Sequence, residues 1–436
     1  MTHLIYSISP AWSAKFNYWF ISVILHLKCN SIQSIEIDNY KETNEVVAPA
    51  AVNFFVLHLC SKLKNLTMET LVVAPLHSVD TIDTTEDHSR IQAFYQLKQT
   101  LKKNQRVVNY TTRDQTIWTS WRIEEKIYKS HRDPLPSKAR GLFTVHEDGV
   151  HRVVVRGYDK FFNVGETDDT QWDAFREGTE GPYDVTLKEN GCIILISALS
   201  ESSLAVTSKH ALPKVQDDEY SHAGVGYKWL CKHLASVHMT ERDLAEWIYH
   251  KDITLVAELC DDEFEEHVLE YEPANRGLYL HGINYNTMEY HTVPMDAVRQ
   301  VAVVFGFFPP EYISLQNIQG VEDMSQEMQR THKFLGREVE GVVVRCKKGG
   351  KDFQFKIKDR QYLQYREYRE VTNIILSAKD KKKDAKNVWK RYEKTSDYID
   401  WLESLIQTDP DRLKDYRKKK GIISMRKDFE KEIKSR

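Results

Sequence analysis

Thr186-Leu187-Lys188-Glu189-Asn190-Gly191 runs straight into Cys192-Ile193-Ile194-Leu195-Ile196-Ser197. A lysine, two polar residues and a glycine lead into an apolar, β-branched run, which reads as a buried strand. The lysine then stands at the mouth of the strand, and the glycine permits close backbone approach beside it. Taken alone, K-x-x-G is equally a solvated loop. Its weight comes from the order of the elements around it.

Upstream, the spacing predicts a helix over 91–103, and a hairpin of 139–144 with 151–157 around Glu147-Asp148-Gly149. Downstream, 204–208 pairs with the lysine-led strand, and 222–237 and 241–250 read as helices with Thr240 as an N-cap. Further strands are expected at 253–259, 278–283, 339–346 and 353–358, with helices at 295–305 and 324–334. From about Gln361 the pattern is helical and highly charged, with a break at Asp409-Pro410. The expected class is α+β with a mainly antiparallel core and a helical C-terminal module. The expected domains are a poorly structured leader over 1–67, with Met68 as a natural start, a core over 68–360 and the module over 361–436.

The 436 residues are 41 % hydrophobic and 29 % charged, which supports a sizeable core in a soluble protein. The net charge of −3 is unevenly spread. Residues 379–436 carry 19 Lys/Arg against 12 Asp/Glu, or +7, which leaves −10 for the rest. A basic end on an acidic body points to an anionic partner, and Lys381–Lys383 and Lys418–Lys420 are its densest clusters. The six cysteines form no C-x-x-C pair and read as reduced, intracellular thiols, so a cytoplasmic or nuclear setting is expected. No apolar run reaches the roughly 18 residues a membrane-spanning helix needs, so no membrane partner is expected.

Several charged residues fall on strand-like runs. Lys188 precedes one strand, and Lys209 and His210 end its partner. Glu258 lies inside Val256-Ala257-Glu258-Leu259, and Glu340 precedes Gly341-Val342-Val343-Val344. Lys356 and Lys358 alternate with Phe355 and Ile357 and so share a face. Singly, each reads as a salt-bridged or edge-strand charge. Together they describe a cavity of lysines and carboxylates, whose natural partner is a nucleoside triphosphate with a divalent metal.

The order K-E-N-G, S-K-H, A-E-L, E-G-V-V-V-R, K-I-K resembles the covalent nucleotidyltransferases, the superfamily of ligases and capping enzymes. A-R-G-L-F-T and R-G-Y-D-K-F-F-N resemble the N-terminal element of phage-type RNA ligases. G-P-Y-D-V-T-L-K-E-N-G-C-I-I, C-D-D-E-F-E-E-H-V-L and L-Y-L-H-G-I-N are similar to the ligase domain of the fungal-type tRNA ligase family. The resemblance covers about residues 90–436. It implies a nucleotidyltransferase core with ATP-grasp-like antiparallel sheets, and ATP-dependent joining of tRNA exon halves, or of a cleaved mRNA, through a lysyl-AMP intermediate. ATP and Mg²⁺ are the implied cofactors.

By this resemblance Lys188 is the nucleophile, and Lys356 and Lys358 lower its pKa and neutralise phosphate charge. Arg140, Lys160, Phe162, Lys209, Glu258 and Glu340 would line the nucleotide pocket. Glu340 would hold the metal, and Glu258 either the metal or the ribose hydroxyls. Phe162 packs on the nucleotide or is plain core. Sealing ends that bear a 2′-phosphate needs a second anion site, for which His222, Arg366 and Arg369 are the candidates. Their alternative is pairing of the two arginines with Glu367 and Glu370 on a solvated helix face.

The family's usual kinase and phosphodiesterase are not legible. The sequence has no G-x-x-x-x-G-K-[ST] loop and one H-x-T, at His238-Met239-Thr240. End healing is therefore expected from another polypeptide, or from residues beyond this chain. Two other readings stay open: a GTP-using capping-type transferase, and an RNA-binding protein on an inactive ligase scaffold.

Overall fold

The computed structural model describes residue 82 and residues 84–112, 114–130, 134–212, 220–377 and 392–435. All lie in the unit Thr81–Arg436. The expected leader over 1–67 falls outside the described residues, as does Lys381–Lys383. Among the described residues no helix is long and apolar enough to cross a membrane.

Among the described residues, three four-stranded antiparallel sheets and a short two-stranded one, Lys333–Phe334 with Arg337–Glu338, lie in the body. The first runs in the order β1 (Gln105–Thr111), β2 (Ile117–Ile123), β3 (Leu142–Glu147), β4 (Val150–Arg156). The β3–β4 turn falls on Asp148 and Gly149, both at positive φ (51° and 77°), where the Glu-Asp-Gly signal puts it. The sequence reading has no strand for β1 or β2. In β2, Trp118, Thr119, Ser120 and Trp121 are buried in succession, so the alternation that marks a strand is missing. Their polar groups are satisfied internally: Ser120 Oγ donates to the His210 carbonyl at 2.9 Å, and Trp121 Nε1 to Thr144 Oγ1 at 2.9 Å.

The second sheet orders β10 (Tyr312–Leu315), β5 (Glu180–Leu187), β13 (Gly341–Lys348) and β14 (Lys351–Lys358). The third orders β7 (Ser203–Ser208), β6 (Cys192–Ser200), β8 (Ile253–Cys260) and β9 (Gly277–Tyr285). β5 is a strand the sequence reading lacks, because Gly181-Pro182 and Asp184 interrupt its apolar run. Lys188–Gly191 is therefore the crossover from the second sheet to the third, not simply the mouth of one strand. Gly191 is needed for the neighbouring strand: a Cβ there would lie 2.1 Å from the Leu259 carbonyl oxygen.

Phe355 and Ile357 of β14 point into a core with Val185, Val342 and Val344, closed by Phe175 and Met328 from the helices α3 (Trp172–Gly178) and α7 (Ile318–Thr331). Full burial of each such side chain contributes about 1.5–3 kcal/mol. Lys356 and Lys358 occupy the opposite face by alternation. Helix α7 starts earlier than the expected 324 because Asn317 caps it, its Oδ1 accepting the Gly320 N–H at 2.9 Å. Thr240 caps Glu241–Lys251 reciprocally with Asp243, as its position predicts.

The segment Tyr158–Val164 ties the first sheet to the second. At one end the Arg140 N–H donates to the Tyr158 carbonyl (2.8 Å) and the Lys160 N–H to the Lys138 carbonyl (2.8 Å). At the other, the Lys356 N–H donates to the Phe162 carbonyl and the Val164 N–H to the Lys356 carbonyl, each at 3.0 Å. The same segment thus delivers Lys160 and Phe162 to the face of β14 that carries the lysines.

Among the described residues of the C-terminal module, the helices α8 (Arg360–Ser377), α9 (Thr395–Thr408) and α10 (Ile422–Ser435) pack around an aromatic core that includes Tyr368, Tyr398 and Phe429. Val268 and Leu269 belong to that core, so the 261–272 loop docks the module onto the body. Within Lys418–Lys420, Lys419 and Lys420 take part in this docking. Lys419 pairs with Glu265 at 2.8 Å, Lys420 Nζ donates to the Asp262 carbonyl at 2.6 Å, and Lys418 pairs with Asp415 at 3.4 Å.

Candidate active site

Lys188 Nζ lies 3.1 Å from Glu340 Oε1, and Lys358 Nζ lies 3.0 Å from the same oxygen. Glu340 is 4 % exposed. Its other oxygen accepts Asn190 Nδ2 at 3.0 Å. Glu258, on β8, receives the Gly191 N–H on Oε1 at 3.2 Å, and its charge acts on Lys188. The crossover, β8 and the ends of β13 and β14 thus bring two lysines and two carboxylates together. The Lys188 N–H donates to the Gly341 carbonyl at 3.0 Å and fixes the crossover against β13.

One expectation fails here. The sequence reading gives Lys188 a lowered pKa, and the geometry gives the reverse. Burial does depress it, but Glu340 and Glu258 outweigh burial and hold the amine above the ordinary lysine range. Burial likewise pushes Glu340 up, and Lys188 and Lys358 overcome it, bringing the carboxyl down to about 2. Lys356, in contrast, is brought down to about 7 by burial and then by Lys160 and Lys358. Lys358 is lowered too, by burial, with Glu340 opposing.

Lys356 Nζ sits 5.3 Å from the Phe161 ring centre, and Lys160 Nζ sits 4.3 Å from that of Phe162. Phe162 therefore packs under a lysine, apart from the main apolar cores. Lys160 also pairs with Glu125 Oε1 at 2.8 Å, and Arg140 Nη2 lies 3.8 Å from Glu125 Oε2. Lys209 belongs to this group: burial, with Arg140 beside it, brings its pKa to about 8.

The three residues expected at a second anion site divide. His222 Nε2 lies 3.0 Å from Glu265 Oε2, not on the arginines. Arg366 Nε donates to Glu370 Oε1 at 2.7 Å, the helix-face pair that was its alternative. It is nonetheless half-buried and feels Tyr362 and Glu340. The charge of Arg369 reaches Tyr362 and His267, and His267 Nε2 lies 3.9 Å from Glu265 Oε1. Among the described residues no group of three or more His, Cys, Asp or Glu converges to hold a metal.

An RNA ligase family model matches residues 138–363, just over half of the chain. This chain belongs to the RNA ligase family. It is 40 % identical over 337 residues to tRNA ligase 1 of Schizosaccharomyces pombe, a match covering 71 % of this chain and 42 % of that protein. It is 37 % identical over 352 residues to a tRNA ligase of Candida albicans, covering 75 % of this chain and 42 % of that one. The chain spans less than half the length of these curated relatives. Among solved structures, an archaeal ATP-dependent RNA ligase aligns with a TM-score of 0.46 at 14 % identity, over 75 % of this chain and 81 % of that one. A Naegleria gruberi RNA ligase variant with ATP and Mn aligns with a TM-score of 0.34 at 13 % identity, over 64 % of this chain and 83 % of that one.

The most connected residue of this candidate site is Asn190, which the sequence reading passed over inside its own motif. Its Oδ1 accepts the N–H groups of Val268 (3.0 Å) and Leu269 (3.1 Å), and its N–H donates to Tyr271 Oη (2.8 Å). Its Nδ2 reaches Tyr362 Oη at 3.1 Å as well as Glu340. One buried amide thus joins the lysine crossover, the docking loop and the first turn of the module. The signal available beforehand was an amide directly after a lysine and a glutamate; its partners lie too far along the chain for spacing to reveal.

Proposed function

We propose that the chain is the ligase part of an ATP-dependent tRNA ligase that joins exon halves, taking a 2′-phosphate/3′-hydroxyl end and a 5′-phosphate end. The observation that carries this reading is the sharing of one Glu340 oxygen by Lys188 and Lys358, at 3.1 and 3.0 Å, on the crossover between two sheets. Family membership and the names of the fungal relatives support the substrate class. In the first step Lys188 Nζ attacks the α-phosphorus of ATP and pyrophosphate leaves. The AMP then passes to the RNA 5′-phosphate, and the 3′-hydroxyl attacks that phosphorus to expel AMP.

Within this reading, Lys356 and Lys358 bear on phosphate oxygens, and Arg140, Lys160, Phe162 and Lys209 line the nucleotide. The amine must first lose the proton that Glu340 stabilises. Glu340 and Glu258 fit a Mg²⁺ that takes its remaining ligands from phosphate and water, and such an ion would supply charge neutralisation at the α-phosphate. His222, Arg366 and Arg369 are proposed to bind the 2′-phosphate. End healing is assigned to another polypeptide or to residues beyond this chain, in keeping with the absence of a phosphate-loop motif from the 436 residues. An RNA substrate of this kind implies a cytoplasmic or nuclear setting.

Incubation with α-labelled ATP and Mg²⁺ should leave acid-stable label on the protein, and Lys188→Ala should remove it. Absence of label on the wild type would refute the enzyme reading, and preferential competition by GTP would turn it toward a capping-type transferase. Sealing of a nicked anticodon stem-loop with and without a 2′-phosphate tests the second anion site. Wild type should prefer the phosphorylated end, and Arg366→Ala/Arg369→Ala should lose that preference.

A further inference from the structure

Behind Glu258 lies a buried network that no step above uses. Arg345, on β13, is 8 % exposed, and its Nη2 donates to Tyr158 Oη at 3.0 Å and to the His281 carbonyl at 2.5 Å. Its guanidinium lies 5.2 Å from the centre of the Tyr158 ring. Tyr158 Oη stands 2.9 Å from His281 Nδ1 and 3.0 Å from the His281 carbonyl, and the two rings stack at 28°. His281, on β9, turns Nε2 toward Glu258 Oε2 at 3.7 Å, and that buried nitrogen has no hydrogen-bond partner. The sequence makes room for the arrangement: a Cβ at Gly282 would lie 1.9 Å from Tyr158 Oη. Arg345 of the second sheet, Glu258 and His281 of the third and Tyr158 of the linking segment thus form one connected cluster.

We propose that Arg345, Tyr158 and His281 are positioning residues which fix the His281 tautomer, so that an Nε2–H aims at Glu258 and orients that carboxylate in the nucleotide pocket. The inference rests on the reading of Glu258 given above. Its logic is proton placement. A neutral imidazole carries one ring proton, and the groups facing its two nitrogens decide which of them holds it. If Nε2 were bare, its lone pair would face a carboxylate oxygen. With the proton on Nε2, the Tyr158 Oη–H turns to Nδ1 rather than to the His281 carbonyl 3.0 Å away, while Arg345 Nη2 donates to the tyrosine oxygen and satisfies that carbonyl. The gap of 3.7 Å is beyond hydrogen-bond reach and closes when a ligand draws Glu258 into place.

The test compares wild type with Tyr158→Phe, His281→Gln and His281→Ala, following Lys188 labelling against ATP concentration, the ¹⁵N shifts of His281 and the thermal midpoint. His281→Gln keeps a donor at the Nε2 position and should label within about threefold of wild type. Tyr158→Phe and His281→Ala should raise the KM for ATP about tenfold, the low end for losing a group that orients a ligand-binding carboxylate. The wild-type spectrum should report an Nε2–H tautomer and Tyr158→Phe a mixture. An Nδ1–H tautomer in the wild type overturns the proposal. So does a Tyr158→Phe protein with unchanged KM, or a His281→Gln protein as impaired as His281→Ala at equal thermal midpoints. Wild-type protein that takes no label would instead refute the ligase reading, and the ¹⁵N result would still decide the relay.

Discussion

Replacing Glu340 by glutamine removes one charge while keeping the side chain's size, and it tests how the resting site is held together. At 3.1 Å and an effective dielectric near 20, the Lys188–Glu340 attraction is about 5 kcal/mol, or roughly four pK units as an upper bound. Glu258 keeps part of its hold on Lys188, while Lys358 loses its partner and adds repulsion. The Lys188 titration midpoint should therefore fall by about two to four units. Competitive acetylation with trace acetic anhydride between pH 6 and 11, read by mass spectrometry on the peptide containing Lys188, should show the variant's midpoint inside that window and the wild type still protonated across it. Leaving two poorly exposed ammoniums without their shared partner should also cost about 3–5 kcal/mol of stability, so the titration belongs at a temperature where circular dichroism shows the variant folded. A variant whose Lys188 stays as protonated as the wild type's up to pH 11 would refute the account, because Glu340 would then not be what holds the amine protonated.

Lys356, with a pKa of about 7, carries its full charge below that pH, and a bound triphosphate raises its pKa. Metal-free ATP binding at pH 8 should therefore take up a proton, and affinity should fall as pH rises above 7, by at most tenfold per unit; calorimetry in two buffers of different ionisation enthalpy measures the uptake. Asn190→Ala strands buried N–H groups of Val268 and Leu269 and should cost about 2–3 kcal/mol in urea unfolding, with label yield falling in step. Thr240→Ala removes a reciprocal cap far from the lysines. It should cost about 1 kcal/mol and leave Lys188 labelling unchanged.

What the sequence disclosed and what it withheld follow from the range of each signal. Alternation put Lys356 and Lys358 on one face because Phe355 and Ile357 between them are unambiguously apolar. The Glu-Asp-Gly turn and the Thr240 cap are equally local signals. β5 was hidden by a proline and an aspartate, and β2 by polar residues that are buried and satisfied across strands. The charge of Lys188 was misjudged for a different reason. Neighbouring lysines are visible in sequence, but which cation shares which carboxylate oxygen is a three-dimensional fact. The Arg345–Tyr158–His281 contact joins residues 64 to 187 positions apart, beyond any periodicity.

The stretch from Tyr158 to Val164 works as a ruler. It leaves one sheet and ends hydrogen-bonded to the edge of another, and seven residues cannot reach beyond about 23–25 Å. The width of the nucleotide cleft on that side is thus limited by chain length, independently of how well either sheet packs. Inserting a single residue between Phe161 and Phe162 would slacken the gauge while leaving every strand intact, so the enzyme should stay folded yet grip its nucleotide less tightly.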